Sequence, residues 1–408
     1  MSNHPRRPVG ADLSATRPGE GGNGAGLEPS QDDIRIGLLH ALSGGLSVTE
    51  TSIHHGALLA VEQINAAGGI DGRRILPLVE DYASDMSVAA LRARKLLRSD
   101  GVTACVGGFT SASRAAMLPA FRSHGAMLLF PTFYEGLEQD PHVVYAGAVP
   151  NQFLLDYVSW IVRTLGTRIY MVGSDYVYPR TMGAMIRRMV GEAGAVMAAD
   201  RYVPLGCLDF TSVIDEIAAL RPDVVISNIV GSDSVPAFYR QFRLAGHTAA
   251  SLPIAATVTT EIELQAMGSE YGVGHFMTAT YFGSLRNAAN AAYVEAIRSR
   301  FGPSAVTHVT QVGAYNAVWL FALAATRAGT LSLESLRASF VGTSFGDNPE
   351  GWPLMVHANH HTDHPSYIGC ARPDGQYDVV ADFPPRRPEP YPSVIVPESR
   401  RPPASMPW

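Results

Sequence analysis

Cysteine is scarce. The 408-residue chain has three, Cys105, Cys207 and Cys370, far apart and odd in number, with no CxxC or CxxH spacing that would indicate metal or redox work. They read as small buried hydrophobes. Charge is thin as well: Asp, Glu, Lys and Arg make up 17% of the residues, the formal net charge is −6, and no long Lys/Arg run occurs. Without a basic field to hold a phosphate backbone, direct nucleic-acid binding is not expected. Long apolar runs are also missing. The most apolar helical stretch, 312–328, contains Asn316 and Arg327 and falls short of the ~20 apolar residues of a membrane span. The first thirty residues hold no apolar stretch of signal-peptide length, so the expected location is cytoplasmic, or periplasmic or extracellular if export follows another route.

What is present is an ordinary globular composition, 46% apolar, on a chain longer than one hydrophobic core usually fills. Two lobes are the natural outcome. Residues 1–31 form a Gly/Pro-rich polar leader expected to be disordered, and a Pro-rich tail from Pro384 onward reads as an extended arm. Between them, short apolar runs alternate with helical-period stretches, the pattern of parallel sheets covered by helices. Strands are expected at 34–40, 75–80, 102–106 and 126–130, with helices over 52–67, 88–98 and 113–124. A second such series starts with a helix over 152–165. It continues through strands at 168–172, 196–203, 224–228 and 253–255, separated by helices over 179–193, 210–219 and 234–245, and ends with a helix over 261–267. A helix over 288–300, the buried helix, a short helix over 333–340 and late strands near Leu354, Tyr367 and Tyr377 complete the chain. The fold class is α/β, with two lobes of parallel sheet and a cleft between them.

In open parallel sheets, ligands bind beyond the carboxyl ends of the strands, where helix N-termini present unpaired N–H groups. Three strand-end loops are rich in hydroxyls and aromatics: 107–113, 130–136 and 173–180. Ser111, Thr132 and Tyr178 supply groups that both donate and accept. Phe109, Phe130, Tyr134 and Tyr176 supply flat walls, and Glu135 serves either the ligand or the lobe hinge. Together these groups suit a guest carrying both a carbonyl and an NH₂. A zwitterionic amino acid would need a carboxylate opposite its ammonium, a role for which Glu50, Glu135 and Asp175 compete.

The same residues carry a family likeness. The stretches Ala60-Val61-Glu62-Gln63-Ile64-Asn65-Ala66-Ala67-Gly68-Gly69, Thr110-Ser111-Ala112-Ser113-Arg114, Tyr134-Glu135-Gly136, Pro150-Asn151-Gln152 and Gly173-Ser174-Asp175-Tyr176-Val177-Tyr178-Pro179-Arg180 resemble type I periplasmic binding proteins. The likeness is to the branch holding urea-uptake receptors and the cytoplasmic amide sensor of the aliphatic amidase operon. It implies two Rossmann-like lobes, 32–149 with 283–352 and 150–282 with 353–383, and places Ser111, Thr132 and Tyr178 in an amide pocket. Phe130-Pro131-Thr132 is closer to the amide sensor, whereas Tyr202-Val203-Pro204-Leu205-Gly206 is closer to the urea receptors. The resemblance implies no catalysis, no cofactor, and one of two protein partners: an RNA-binding antiterminator for a sensor that regulates amidase expression, or an ABC permease for an importer's receptor of urea, short amides or branched-chain amino acids. Homo-oligomerisation is compatible with either.

Other signals lead elsewhere. His357, His360, His361, Asp363 and His364 do not have two-plus-two zinc spacing and read as a polar loop beside a late strand. Gly342-Thr343-Ser344-Phe345-Gly346 matches a nucleophile elbow in letters, but a helix precedes it where a strand is required. The glycines at 22–26 follow no strand, so dinucleotide binding is not expected either.

Overall fold

In the computed structural model, which describes Ser30, residues 32–393 and Val396, the chain builds two α/β layers in succession. The leader and the end of the tail lie outside the described residues. The first layer comprises β1 (Ile34–His40), α1 (Ser47–Ala66), β2 (Ile75–Asp81), α2 (Met86–Arg98), β3 (Ala104–Gly107), α3 (Ser111–His124), β4 (Met127–Phe130) and β5 (Val143–Tyr145). Its strands are all parallel, in the order β2-β1-β3-β4-β5. Because the side-chain period of a strand is two, each strand serves both faces. Ile36, Leu38, Val106 and Leu129 join the α1 side, while Leu39, Cys105, Leu128 and Phe130 join α2 and α3.

The second layer begins with α4 (Pro150–Thr164), β6 (Arg168–Ser174), α5 (Val177–Glu192), β7 (Val196–Val203), α6 (Thr211–Leu220), β8 (Val224–Asn228) and α7 (Ser234–Leu244). It continues with β9 (Ile254–Ala256), α8 (Glu261–Met267), α9 (Ser269–Gly272) and β10 (Phe276–Ala279). The chain then returns to the first lobe for α10 (Ala288–Phe301), α11 (Val309–Ala328), α12 (Leu333–Phe340) and the small β11–β12 pair (Ser344–Phe345, Leu354–Met355). It crosses once more to add β13 (His364–Ala371) and β14 (Tyr377–Arg386) antiparallel to the second sheet. That sheet runs β14-β13-β10-β9-β8-β6-β7.

The helix α11 explains its own composition. Fifteen of its twenty residues are buried, so it is apolar on nearly every side, as a helix wedged inside a protein must be. No described helix is long and apolar enough to cross a membrane. Two corrections to the sequence reading concern the cleft. α1 and α3 begin earlier than expected, at Ser47 and Ser111, which carries their N-termini up to the strand ends. The Pro-rich arm is partly strand: Pro384 and Pro385 lie in β14, on the sheet edge where a missing N–H is tolerated. The short strands β5 and β10 were not anticipated, since three or four apolar residues carry too little periodicity to register.

Candidate functional site

Between the two sheets, beyond the carboxyl ends of their strands, lies a cavity that admits water-sized groups to about 50 Å³. The first lobe contributes the α1 and α3 N-termini and the loop after β4. The second contributes the α5 N-terminus and the loops after β8 and β9. Of the eight side chains singled out in the sequence, Phe109, Ser111, Thr132, Tyr176 and Tyr178 line it. Phe130 and Tyr134 do not. They lie behind the wall, fully buried, holding the Arg114 guanidinium between them at 4.5 and 4.4 Å from the ring centroids. Tyr134 is claimed from far along the chain as well, its hydroxyl 2.7 Å from His361 Nε2. Glu135 is one step back from the cavity: its Oε2 accepts a 2.7 Å hydrogen bond from the Ser111 hydroxyl.

Local chemistry sets these positions. Thr110 caps α3 in a reciprocal arrangement with Ser113, which starts the helix at Ser111 and aims its first turn at the cavity. The helix α5 opens after Tyr176 with no side-chain cap, leaving its first-turn N–H groups without a side-chain acceptor. Thr132 is held by close packing. A Cβ on Gly147 would fall 2.2 Å from the Thr132 carbonyl carbon, and one on Gly313 would fall 2.1 Å from the Pro131 oxygen. Only glycine permits α11 and the 146–148 strand end to come this near.

Two lining hydroxyls, Thr132 Oγ1 and Tyr178 OH, are buried and have no hydrogen-bond partner among the described residues. Burial, with Tyr176 adding to it, pushes the Tyr178 phenol far above its usual range, and the nearby Thr257 hydroxyl offsets this only in part. Thr257 does not complete a hydrogen bond to it; its proton goes to Asn228 Oδ1. Unpaired buried hydroxyls cost free energy. Of the three acids considered for an ammonium, Glu50 is buried beneath the wall, bonded to Tyr82 and to the Ala41 N–H, and burial raises it to about 7. Asp175 is paired with Arg180 at the surface.

Sequence reading missed part of the lining: Leu46 and Thr49 at α1, Phe133, Ser232, Glu263 and Thr310. The strand-end rule would have found the loops after β8 and β9. Phe133 packs edge-on to Tyr178 across the lobes, with centroids 6.1 Å apart. Glu263 closes the capping box of α8, its Oε2 accepting from the Thr260 N–H at 2.7 Å and hydroxyl at 2.6 Å, and burial raises its pKa. Among the described residues, no Lys, Arg, His, Cys or Asp lines the cavity. The lining consists of hydroxyls, main-chain groups, rings and the Glu263 carboxylate.

Side-chain bonds within the histidine-rich stretch and from it to Glu350 hold it in place. His357 Nε2 lies 2.6 Å from Asp363, and His364 Nδ1 lies 2.8 Å from Glu350, which also accepts from Asn316 of α11.

Two facing α/β lobes, crossed by the chain several times and closing over a hydroxyl-lined cavity, define a ligand-binding protein of the two-lobed type. The chain belongs to the periplasmic binding protein domain family, whose model matches residues 34–397. It is 26% identical over 387 residues to the Leu/Ile/Val-binding protein homolog 7 of Brucella melitensis biotype 1, covering 87% of this chain and 93% of that one. An amino acid binding protein of Pseudomonas aeruginosa is 24% identical over 258 residues, 60% of this chain and 67% of its own length. Among solved structures, a solute binding protein of an ABC transporter from R. palustris in complex with benzoate superposes with a TM-score of 0.77 at 20% identity, covering 88% of this chain and 98% of that one. LivJ from Streptococcus pneumoniae in complex with isoleucine gives 0.74 at 22% identity, covering 87% and 100%. These likenesses establish the type I periplasmic binding protein fold.

Proposed function

We propose that this chain is a solute receptor of the ABC-importer type that closes on a short neutral amide or urea and performs no chemistry on it. The observation that carries the ligand class is the small cavity with one unpartnered buried hydroxyl from each lobe, Thr132 and Tyr178. A cavity of about 50 Å³ suits a guest of the size of urea or acetamide; isoleucine and benzoate are larger. A guest bonded to both hydroxyls bridges the lobes and so favours their closed arrangement over an open one. The receptor role draws on the relatives, which are named as binding proteins and transporter components. Its partner would then be an ABC permease.

A regulatory reading shares the same site. The likeness of Phe130-Pro131-Thr132 to the amide sensor favours it, and its partner would be an RNA-binding antiterminator. The two roles separate by which protein co-purifies with the ligand-loaded chain.

Calorimetric titration with urea, acetamide, butyramide, isoleucine and benzoate tests the ligand class. The expected result is saturable binding of urea or a short amide. Binding of isoleucine or benzoate alone would overturn it.

A further inference from the structure

The bond between Ser111 and Glu135 fixes which half of the serine hydroxyl the cavity sees. A hydroxyl has one proton and two lone pairs, whereas a carboxylate only accepts. Ser111 therefore spends its proton on Glu135 Oε2, 2.7 Å away, and turns lone pairs toward the cavity it lines. Both side chains are more than nine-tenths buried, so the polarity is not averaged by solvent.

Glu135 is held in place from both sides. The Tyr134 N–H bonds the Ala148 oxygen at 3.1 Å, and the Leu137 N–H bonds the Pro390 oxygen at 2.7 Å. Gly136, at φ 73°, passes so near that a Cβ would fall 2.4 Å from that same Pro390 oxygen. The nearby cation Arg114 is spent on Glu138, with its Nε at 2.8 Å. Among the described residues, no cationic side chain lines the cavity. The influence of Glu135 reaches the opposite wall, where it adds to the upward push that burial gives the Tyr176 and Tyr178 phenols.

The geometry points to Glu135 as the positioning residue that sets specificity. By consuming the Ser111 proton it makes the cavity accept from N–H donors and repel carboxylates of the same shape. This rests on the amide-binding reading and sharpens it, because acetamide and acetate are nearly identical in size and differ in charge and in whether they present an N–H donor or only acceptors to Ser111.

The test is calorimetric titration of wild-type and Glu135→Gln protein with acetamide and with acetate, after thermal melts establish that the variant is folded. Wild type should prefer acetamide at least tenfold. Glu135→Gln removes the charge and offers Ser111 an N–H donor as well as an acceptor, so the hydroxyl can turn its proton to the cavity, acetate should tighten and the preference should shrink at least tenfold. A purely structural role would weaken both ligands together and leave their ratio unchanged, which overturns the inference while leaving amide binding intact. Should the variant not fold, wild type decides alone: acetate bound as tightly as acetamide overturns it. If wild type binds neither, the amide reading itself falls, and this inference with it.

Discussion

Thr132→Val and Tyr178→Phe each delete one hydroxyl while keeping nearly the same shape. Both hydroxyls are buried and lack a protein partner, so their removal from the ligand-free protein breaks no internal hydrogen bond. Ligand-free stability should therefore change by no more than about 0.5 kcal/mol, and a small gain is physically reasonable because an unpaired buried group is costly. Binding should respond oppositely. If each hydroxyl bonds the guest, its loss costs about 1 to 1.5 kcal/mol of affinity, or roughly five- to fifteenfold in Kd. The assay is guanidinium denaturation without ligand beside calorimetry with acetamide, because urea is itself a candidate guest and would bind the protein it is meant to unfold. A variant that loses 1 to 3 kcal/mol of stability and keeps its affinity would refute the reasoning, because the hydroxyl would then be holding the fold.

Two further outcomes follow from the packing. Burial holds His54 and His360 down to about 4 and His275, His308 and His361 to about 3, so folded protein keeps them neutral while the unfolded chain protonates them near 6.5. Stability should fall as pH drops below about 6.5. Glu50, raised to about 7, and Glu261, raised to about 8, work in the other direction: the stability they contribute is full below their unfolded value and fades as pH rises through 7 and 8. The denaturation midpoint in guanidinium should peak near pH 6.5, and a midpoint that climbs from 6.5 to 8.5 would contradict this. Gly313→Ala puts a methyl 2.1 Å from the Pro131 oxygen, an overpacking expected to cost about 1 to 3 kcal/mol and to displace Thr132. Acetamide affinity should drop with thermal stability, and a folded variant with unchanged affinity would show that α11 does not position Thr132.

The strand-end loops of the site were legible because they depend on local chemistry. The Thr110–Ser113 cap and the glycines beside it declare a strand-to-helix turn; Ser111 and Tyr178 stand at such turns, and Thr132 stands in the loop between β4 and β5. The wall aromatics were legible only as a group. Phe130, Phe133 and Tyr134 sit within five residues, yet Phe133 lines the cavity and the other two face the core. Arg114 draws both rings away, and His361, 227 positions along, bonds Tyr134.

By itself, then, the order of residues determined the alternation of strand and helix, the two-lobed class and the strand-end loops that line the cavity, because periodicity, caps and turn glycines act over a few residues. The tertiary structure alone decided which side chain of each loop faces the cleft, that Ser111 gives its proton to Glu135, and that Glu263 and Thr310 join the lining from distant segments. Those choices turn on packing and desolvation between separate elements, from the 24 positions between Ser111 and Glu135 to the far longer span between Thr132 and Thr310, for which no short stretch of sequence carries a signal.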